Sequence, residues 1–188
     1  MELSLLPLSE EVRNLYNEPS KQHKSDSGFD LYMPETVVVK AGTRSQLIPL
    51  GVKFKMERST KGSFFALVYL LIRMLIDTIP NETAKRVFKE LMVEFENIGK
   101  RPVGYLLLPR SSIVKTPLRQ SNAVGLFDPD FRKQAHFPVD NISDEDFTIE
   151  KGTRLCQIVG PGLEPIHMKL VTELDSTDRG AGFGSSGK

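Results

Sequence analysis

SQLIPLGVKFKM, residues 45–56, sets the fold class. Its β-branched and aromatic residues, interrupted by the turn formers Pro49 and Gly51, read as strands joined by a tight connection. TVVVK at 36–40 has the same character and is set off by Ala41-Gly42. Fourteen glycines and twelve prolines, spread along most of the 188 residues, suggest many short elements joined by turns, again a β signature. The β character returns in VGYLLLPRSS, 103–112, where three leucines imply a buried strand ended by Pro109. IHMKLVTEL, 166–174, mostly alternates apolar and polar residues, as a half-buried strand does. Residues 1–35 read as an irregular lead-in ending in SDSGFDLYMPE, and the tail DRGAGFGSSGK is too rich in glycine and serine to form a stable element alone.

The character changes at about Arg58. SFFALVYLLIRMLIDTI, 63–79, is apolar almost all round, and Pro80-Asn81 marks a turn. In NETAKRVFKELMVEFENIG, 81–99, the residues Val87, Phe88, Leu91, Met92, Phe95 and Ile98 fall on one helical face, with Asn81 as the N-cap. The reading is a single domain over 1–188, mainly β, carrying a helical hairpin inserted at 59–99 and a flexible C-terminal arm at 176–188. At 1.5 Å per residue the apolar run 64–79 spans about 24 Å, short of the roughly 30 Å hydrocarbon core of a bilayer. Arg73 and Asp77 also interrupt it, so burial against its partner helix, the β body or another subunit is expected rather than membrane insertion. A partner-binding role for 59–99 is the sharper alternative.

A formal net charge of +1, with no basic stripe, argues against stable binding of polymeric nucleic acid but leaves a small anionic ligand open. Cys156 is the sole cysteine, so no internal disulfide forms. His23, His136 and His167 are far apart and make no zinc pattern with it. The start, MELSLLPLSEEV, lacks the basic beginning and long apolar core of a signal peptide, and a soluble intracellular location, cytoplasmic or nuclear, is expected.

Five short segments carry groups suited to chemistry, and each alone has a plain structural alternative. In SGFDLY, 27–32, Asp30 is either a turn carboxylate or a holder of a cation's waters. In LLLPRSSIVK, 106–115, Arg110 with Ser111 and Ser112 suits phosphate oxygens, or is a surface arginine beside turn serines. In SNAVGLFDPDFRK, 121–133, Asp128-Pro129 opens a type I turn, or a hairpin whose backbone reads a base edge while Asp128 polarises a water. In EKGTRLCQIV, 150–159, Gln157 faces a phosphate or merely solvent. In TDRGAGFGSSGK, 177–188, one arginine and one ring sit in a glycine-rich chain whose backbone can approach phosphate closely.

Taken in order, SGFDLY, PRSS, NAVGLFDPDF, KGTRLCQ and RGAGFGSSG resemble the five motifs of the trimeric dUTPase family. The resemblance runs from about residue 25 onward, except for the insertion. It implies a β-clip, jelly-roll-like barrel, a homotrimer with active sites shared between subunits, and a C-terminal arm that closes over substrate. It further implies Mg²⁺-dependent hydrolysis of dUTP to dUMP and pyrophosphate. On the matching positions, Asp128 is the general base and Asp30 holds waters of Mg²⁺. Arg110, Ser111, Gln157 and Arg179 bind the phosphates, with Ser112, Gly184 and Ser185 as further substrate-binding positions. Asn122 and Gly125 belong to the hairpin that reads uracil largely through backbone groups, Phe131 packs under the deoxyribose, and Phe183 stacks on the base.

Three features depart from the family pattern. Phe131 stands where tyrosine is usual, Lys133 where glycine is usual, and the common short form lacks 59–99. The related dCTP deaminases need a glutamate soon after the third motif, and DPDFRKQAHF has none before Glu145. A binding or regulatory protein that has lost catalysis would be expected to have lost some of these side chains, and all are present.

Overall fold

The structure is a computed structural model that describes residues 1–17, 25–59, 63–76, 81–97 and 99–177. In chain order the elements are β1 (Glu2–Pro7), α1 (Glu10–Asn17), β2 (Gly28–Leu31), β3 (Val37–Val39), β4 (Gln46–Pro49) and β5 (Val52–Ser59). Then come α2 (Ser63–Ile76), α3 (Glu82–Asn97), β6 (Lys100–Pro102), β7 (Tyr105–Pro109), a 3-10 turn (Ser111–Lys115), β8 (Leu118–Gln120) and β9 (Gly125–Phe127). β10 (His136–Asn141), β11 (Phe147–Ile149), β12 (Cys156–Val159) and β13 (His167–Leu170) complete the order. The protein is thus mainly β with an inserted pair of helices.

The chain divides into two compact units, Met1–Met56 with Pro102–Lys188, and Glu57–Arg101. Short strands form small sheets in the orders β4-β10-β8, β11-β3 and β2-β12-β7-β9, and β13-β1-β5-β6 forms a further sheet. The period of two decides which side chains go inward. Val52, Phe54 and Met56 of β5 are fully buried, while Lys53 and Lys55 between them are not. SQLIPLGVKFKM is two strands because Gly51 has a φ of 66°, a left-handed turn that a side chain disfavours. Leu107 is buried, but Leu106 and Leu108 are only half-buried, so LLL is a strand with one face toward the core and not a strand enclosed on both.

The N-terminal segment corrects the expectation of an irregular lead-in. β1 buries Leu3 and Leu5 and pairs in parallel with β13, from Glu2 opposite His167 to Leu5 opposite Leu170. α1 follows, capped by the Ser9 hydroxyl, which accepts from the Val12 N–H at 3.2 Å. Glu10 and Glu11 in its first turn complement the helix dipole. Val12 and Tyr16, one turn apart, are its buried residues. The Tyr16 hydroxyl accepts from the Tyr32 N–H at 3.2 Å, and its ring stacks on Phe29 with centroids 6.1 Å apart. α1 therefore braces β2.

In the second unit, Asn81 caps α3 as expected, its Oδ1 accepting from Thr83 N–H at 2.9 Å and Ala84 N–H at 3.1 Å. Ile98, placed on the apolar face from sequence, lies outside the described residues. Among the described residues no helix is long and apolar enough to cross a membrane.

Candidate active site

Four of the five chemical segments lie on one sheet. The order β2-β12-β7-β9 sets Asp30 opposite Gln157, and Gln157 opposite Leu108, three residues before Ser111. The Arg110 N–H donates to Leu155 O at 2.8 Å, which fixes the turn after β7 against the start of β12. β9 pairs with β7, Phe127 opposite Tyr105, and ends just before Asp128. Chain segments far apart in sequence are thus brought together by strand pairing.

At the β2-β12-β7 end of this sheet, Asp26, Ser27, Gly28, Asp30, Arg110, Ser111 and Gln157 line a cleft of about 270 Å³. Arg110 Nε lies 2.6 Å from Asp30 Oδ1, and Arg154 Nη1 donates to Asp30 Oδ2 at 3.0 Å. The Asp30 side chain is 18% exposed. Its two oxygens are each engaged by a guanidinium, so Asp30 orders cations as well as facing the cleft. Arg110 also donates through Nη1 to the Arg154 carbonyl at 3.1 Å, and the Ser112 hydroxyl donates to the same carbonyl at 3.2 Å. Ser112, expected to touch substrate, braces this loop and does not line the cleft. The Arg154 guanidinium lies 5.8 Å from the centre of the Tyr32 ring, a cation–π contact. A methyl group at Gly28 would overlap Gln157 Oε1, so glycine here leaves the glutamine its place in the cleft.

The third segment forms a second group at the β9 edge. The Phe131 N–H donates to Asp128 O at 3.1 Å, closing the turn Asp128-Pro129-Asp130-Phe131. The Phe131 ring packs edge-on against Phe127, centroids 5.1 Å apart. Asp128 is half-buried, and it is not among the residues that line the cleft. Asn122 is exposed at the turn between β8 and β9. Gly125 is buried, and a Cβ there would lie 3.0 Å from Leu107 Cβ, so the close approach of β9 to β7 requires glycine. Arg179, Phe183, Gly184 and Ser185 lie outside the described residues.

Sequence reasoning missed Arg154, Asp26 and Ser27. Arg154 stood within KGTRLCQ, and an arginine three residues before Gln157 was its only signal. Burial pushes the Cys156 thiol pKa up, and the nearby Asp30 charge pushes it the same way, so this thiol is not a nucleophile. Among the described residues no group of three or more His, Cys, Asp or Glu side chains is arranged to hold a metal ion. Asp26 and Asp30 are the carboxylates lining the cleft. That donor set does not make an all-protein cage; it fits Mg²⁺ that arrives on a phosphate chain and keeps most of its waters.

A family model described as dUTPase matches residues 74–187. The deoxyuridine 5'-triphosphate nucleotidohydrolase of Finegoldia magna is 40% identical over 90 residues, 46% of this chain and 63% of that protein. The enzyme of the same description from Escherichia phage T5 is 39% identical over 103 residues, 53% of this chain and 70% of that protein. The chain therefore spans less than two thirds of the first of these relatives. Among solved structures, a Staphylococcus bacteriophage 80alpha dUTPase mutant with dUpNHpp superposes with a TM-score of 0.51 at 18% identity, covering 99% of this chain and 98% of that one. A dUTPase mutant from phage phi11 of S. aureus, described for its structural Mg(II) ion, gives 0.50 at 18% identity over 94% and 96% of the two chains. At these identities the likeness shows the shared β-clip fold.

Proposed function

The chain belongs to the dUTPase family, and from that premise we propose that it hydrolyses dUTP to dUMP and pyrophosphate with Asp128 as general base. The observation that carries this reading is the single sheet on which Asp30, Gln157, Arg110 and the strand leading to Asp128 are neighbours. Arg110, Ser111 and Gln157 offer guanidinium, hydroxyl and amide donors to one polar cleft, the donor set that phosphate oxygens require. Asp30 and Arg154 hold Arg110 in place, so its donors are oriented before substrate arrives.

In this reading the Asp128 carboxylate accepts a proton from a water whose oxygen attacks the α-phosphorus. The bond from that phosphorus to the oxygen bridging to the β-phosphorus breaks, and pyrophosphate leaves with the bonding pair. Asp26 and Asp30 would hold waters of a Mg²⁺ ion at this cleft, and the ion would supply charge neutralisation when bound. The 121–127 turn and strand read uracil, and Phe131 packs under the deoxyribose. Arg179, Phe183, Gly184 and Ser185 complete the site from the C-terminal arm. The residues act in a homotrimer, which the exposed apolar side chains Leu47, Val114, Leu126 and Ile142 of the β unit support.

The second unit favours an additional role. Leu70, Leu71, Met74 and Leu75 of α2 are each more than half exposed, an apolar surface suited to a partner. The catalytic reading is tested by Asp128→Asn. Its kcat on dUTP is expected to fall by about 10²–10⁴, the usual worth of a general base, with nucleotide binding largely kept. Full activity in this variant removes Asp128 from the role.

A further inference from the structure

We propose that Arg132 is the positioning residue for Asp128: its guanidinium clamps the backbone of the Asp128 turn to Asp175, at the root of the C-terminal arm, and so fixes where the carboxylate stands. This inference rests on the dUTP reading above, in which Asp128 is the general base, and adds the side chain that holds that base in place.

Burial does not fix the tip of the turn, because Pro129 and Asp130 are exposed. Hydrogen bonds to its carbonyls do. Asp128 O accepts from the Phe131 N–H at 3.1 Å, which closes the turn on itself. Pro129 O and Phe131 O accept from Arg132 Nη1 at 2.8 and 3.1 Å. Asp130 O accepts from the Thr177 hydroxyl at 2.7 Å. Every carbonyl from Asp128 to Phe131 thus has a donor, as a turn held in one conformation requires.

The other edge of the same guanidinium grips the arm root. Arg132 Nε donates to Asp175 Oδ1 at 3.1 Å and Nη2 to Oδ2 at 3.5 Å, a two-pronged pair. Lys55 Nζ of β5 lies 3.4 Å from the same Oδ2. Phe54 and Met56, on either side of Lys55, are buried in the core, so Asp175 is fastened to a fixed strand. Asp175 and Thr177 therefore hold adjoining carbonyls of the Asp128 turn, one through Arg132 and one directly. Both lie just ahead of Arg179 in the arm.

Arginine suits this geometry and lysine does not. A planar fork donates to two carbonyls and a carboxylate at once, whereas an ammonium is a single point of attachment. Fold stability alone does not ask for it. The Arg132 side chain is 11% exposed, and taking a guanidinium that far out of water offsets much of what its ion pair contributes. What the clamp supplies is a fixed place for the turn. A general base displaced by about 1 Å from its water loses about 10²-fold in rate.

The test measures kcat and KM for dUTP with Mg²⁺ in the full chain, for Arg132→Gln and Arg132→Lys, each alone and combined with Asp128→Asn. Arg132→Gln is expected to lower kcat about 10- to 100-fold, with KM within about threefold of the native value. Arg132→Lys keeps the charge but not the fork and should restore little of the rate. On Asp128→Asn, Arg132→Gln should cost less than about twofold, because the carboxylate it positions is gone. A residue that only stabilises the fold would cost as much in either background. Should Arg132→Gln impair folding, Asp175→Asn loosens the same clamp from its half-exposed end. It should lower kcat about three- to tenfold, again only while Asp128 is present. Native kcat in folded Arg132→Gln, Arg132→Lys or Asp175→Asn, or a loss of the same size on Asp128→Asn, overturns the inference. Full activity of Asp128→Asn by itself, or no turnover of dUTP by the native chain, overturns instead the functional reading beneath it.

Discussion

Arg154 shows how one side chain changes the charge of a site. Asp30 and Arg110 alone form a neutral pair; with Arg154 on the second carboxylate oxygen the trio carries a net positive charge next to the cleft. A triphosphate is attracted to the trio and much less to the pair. Arg154→Gln is therefore expected to raise KM for dUTP about tenfold, or roughly 1.4 kcal/mol, with a smaller effect on kcat. Steady-state kinetics check it, and an unchanged KM would make Arg154 a structural residue only. Asp30, Arg110, Ser111 and Gln157 were legible in the sequence because each sits in a short motif whose neighbours along the chain mark it. Arg154 was not, because what distinguishes it is a partner across the fold. That partner is Asp30. Ser112 was read with Ser111 as one of two hydroxyls beside Arg110 suited to phosphate oxygens, and its hydroxyl donates to the Arg154 carbonyl.

Among the elements, β10 illustrates how short strands are locked together. Its Asp140 accepts from the Ser45 N–H at 2.8 Å ahead of β4, from the Ser121 hydroxyl after β8, and from Arg119 Nε at 3.2 Å within β8. The Ser45 N–H above all, then the Ser121 hydroxyl and Arg119, hold the Asp140 pKa below the ordinary carboxylate range. A carboxylate lowered in the folded state stabilises the fold fully above its unfolded pKa of about 4 and progressively less as pH falls through the lowered value. Asp140→Asn should cost about 1–3 kcal/mol at neutral pH, and the difference from the native protein should shrink below about pH 4. Chemical denaturation across pH reads this directly, and a gap that widens in acid would contradict it. The strands from 36 to 56 were legible because their residues carry strong β preference between turn formers. β1 and α1 were not. β1 has only Leu3 and Leu5 to show its period, and its partner β13 lies at the far end of the chain. α1 has two turns, too few for periodicity to stand out, and Tyr16 gains its meaning from Phe29 and Tyr32.

At the scale of the whole molecule, Glu57–Arg101 forms a unit of its own, entered through β5 and left through the neighbouring strand β6. The apolar run of α2 and the capped, amphipathic α3 were visible in sequence because helical periodicity is local. What α2 meets was not, since exposed Leu70, Met74 and Leu75 say nothing in sequence about their partner. The chemical residues all lie in the other unit. Replacing 60–99 by a two-residue Asn-Gly turn between β5 and β6 is thus expected to leave kcat on dUTP within about threefold of the native value. Loss of activity in a folded deletion variant would bring the insertion into the catalytic assembly. The most direct test of the central claim is pyrophosphate release by the full chain from dUTP, with UTP, dCTP and dTTP as controls, each with and without Mg²⁺. Rapid Mg²⁺-dependent release from dUTP alone is the predicted result; no release from dUTP, or equal release from all four nucleotides, would contradict it.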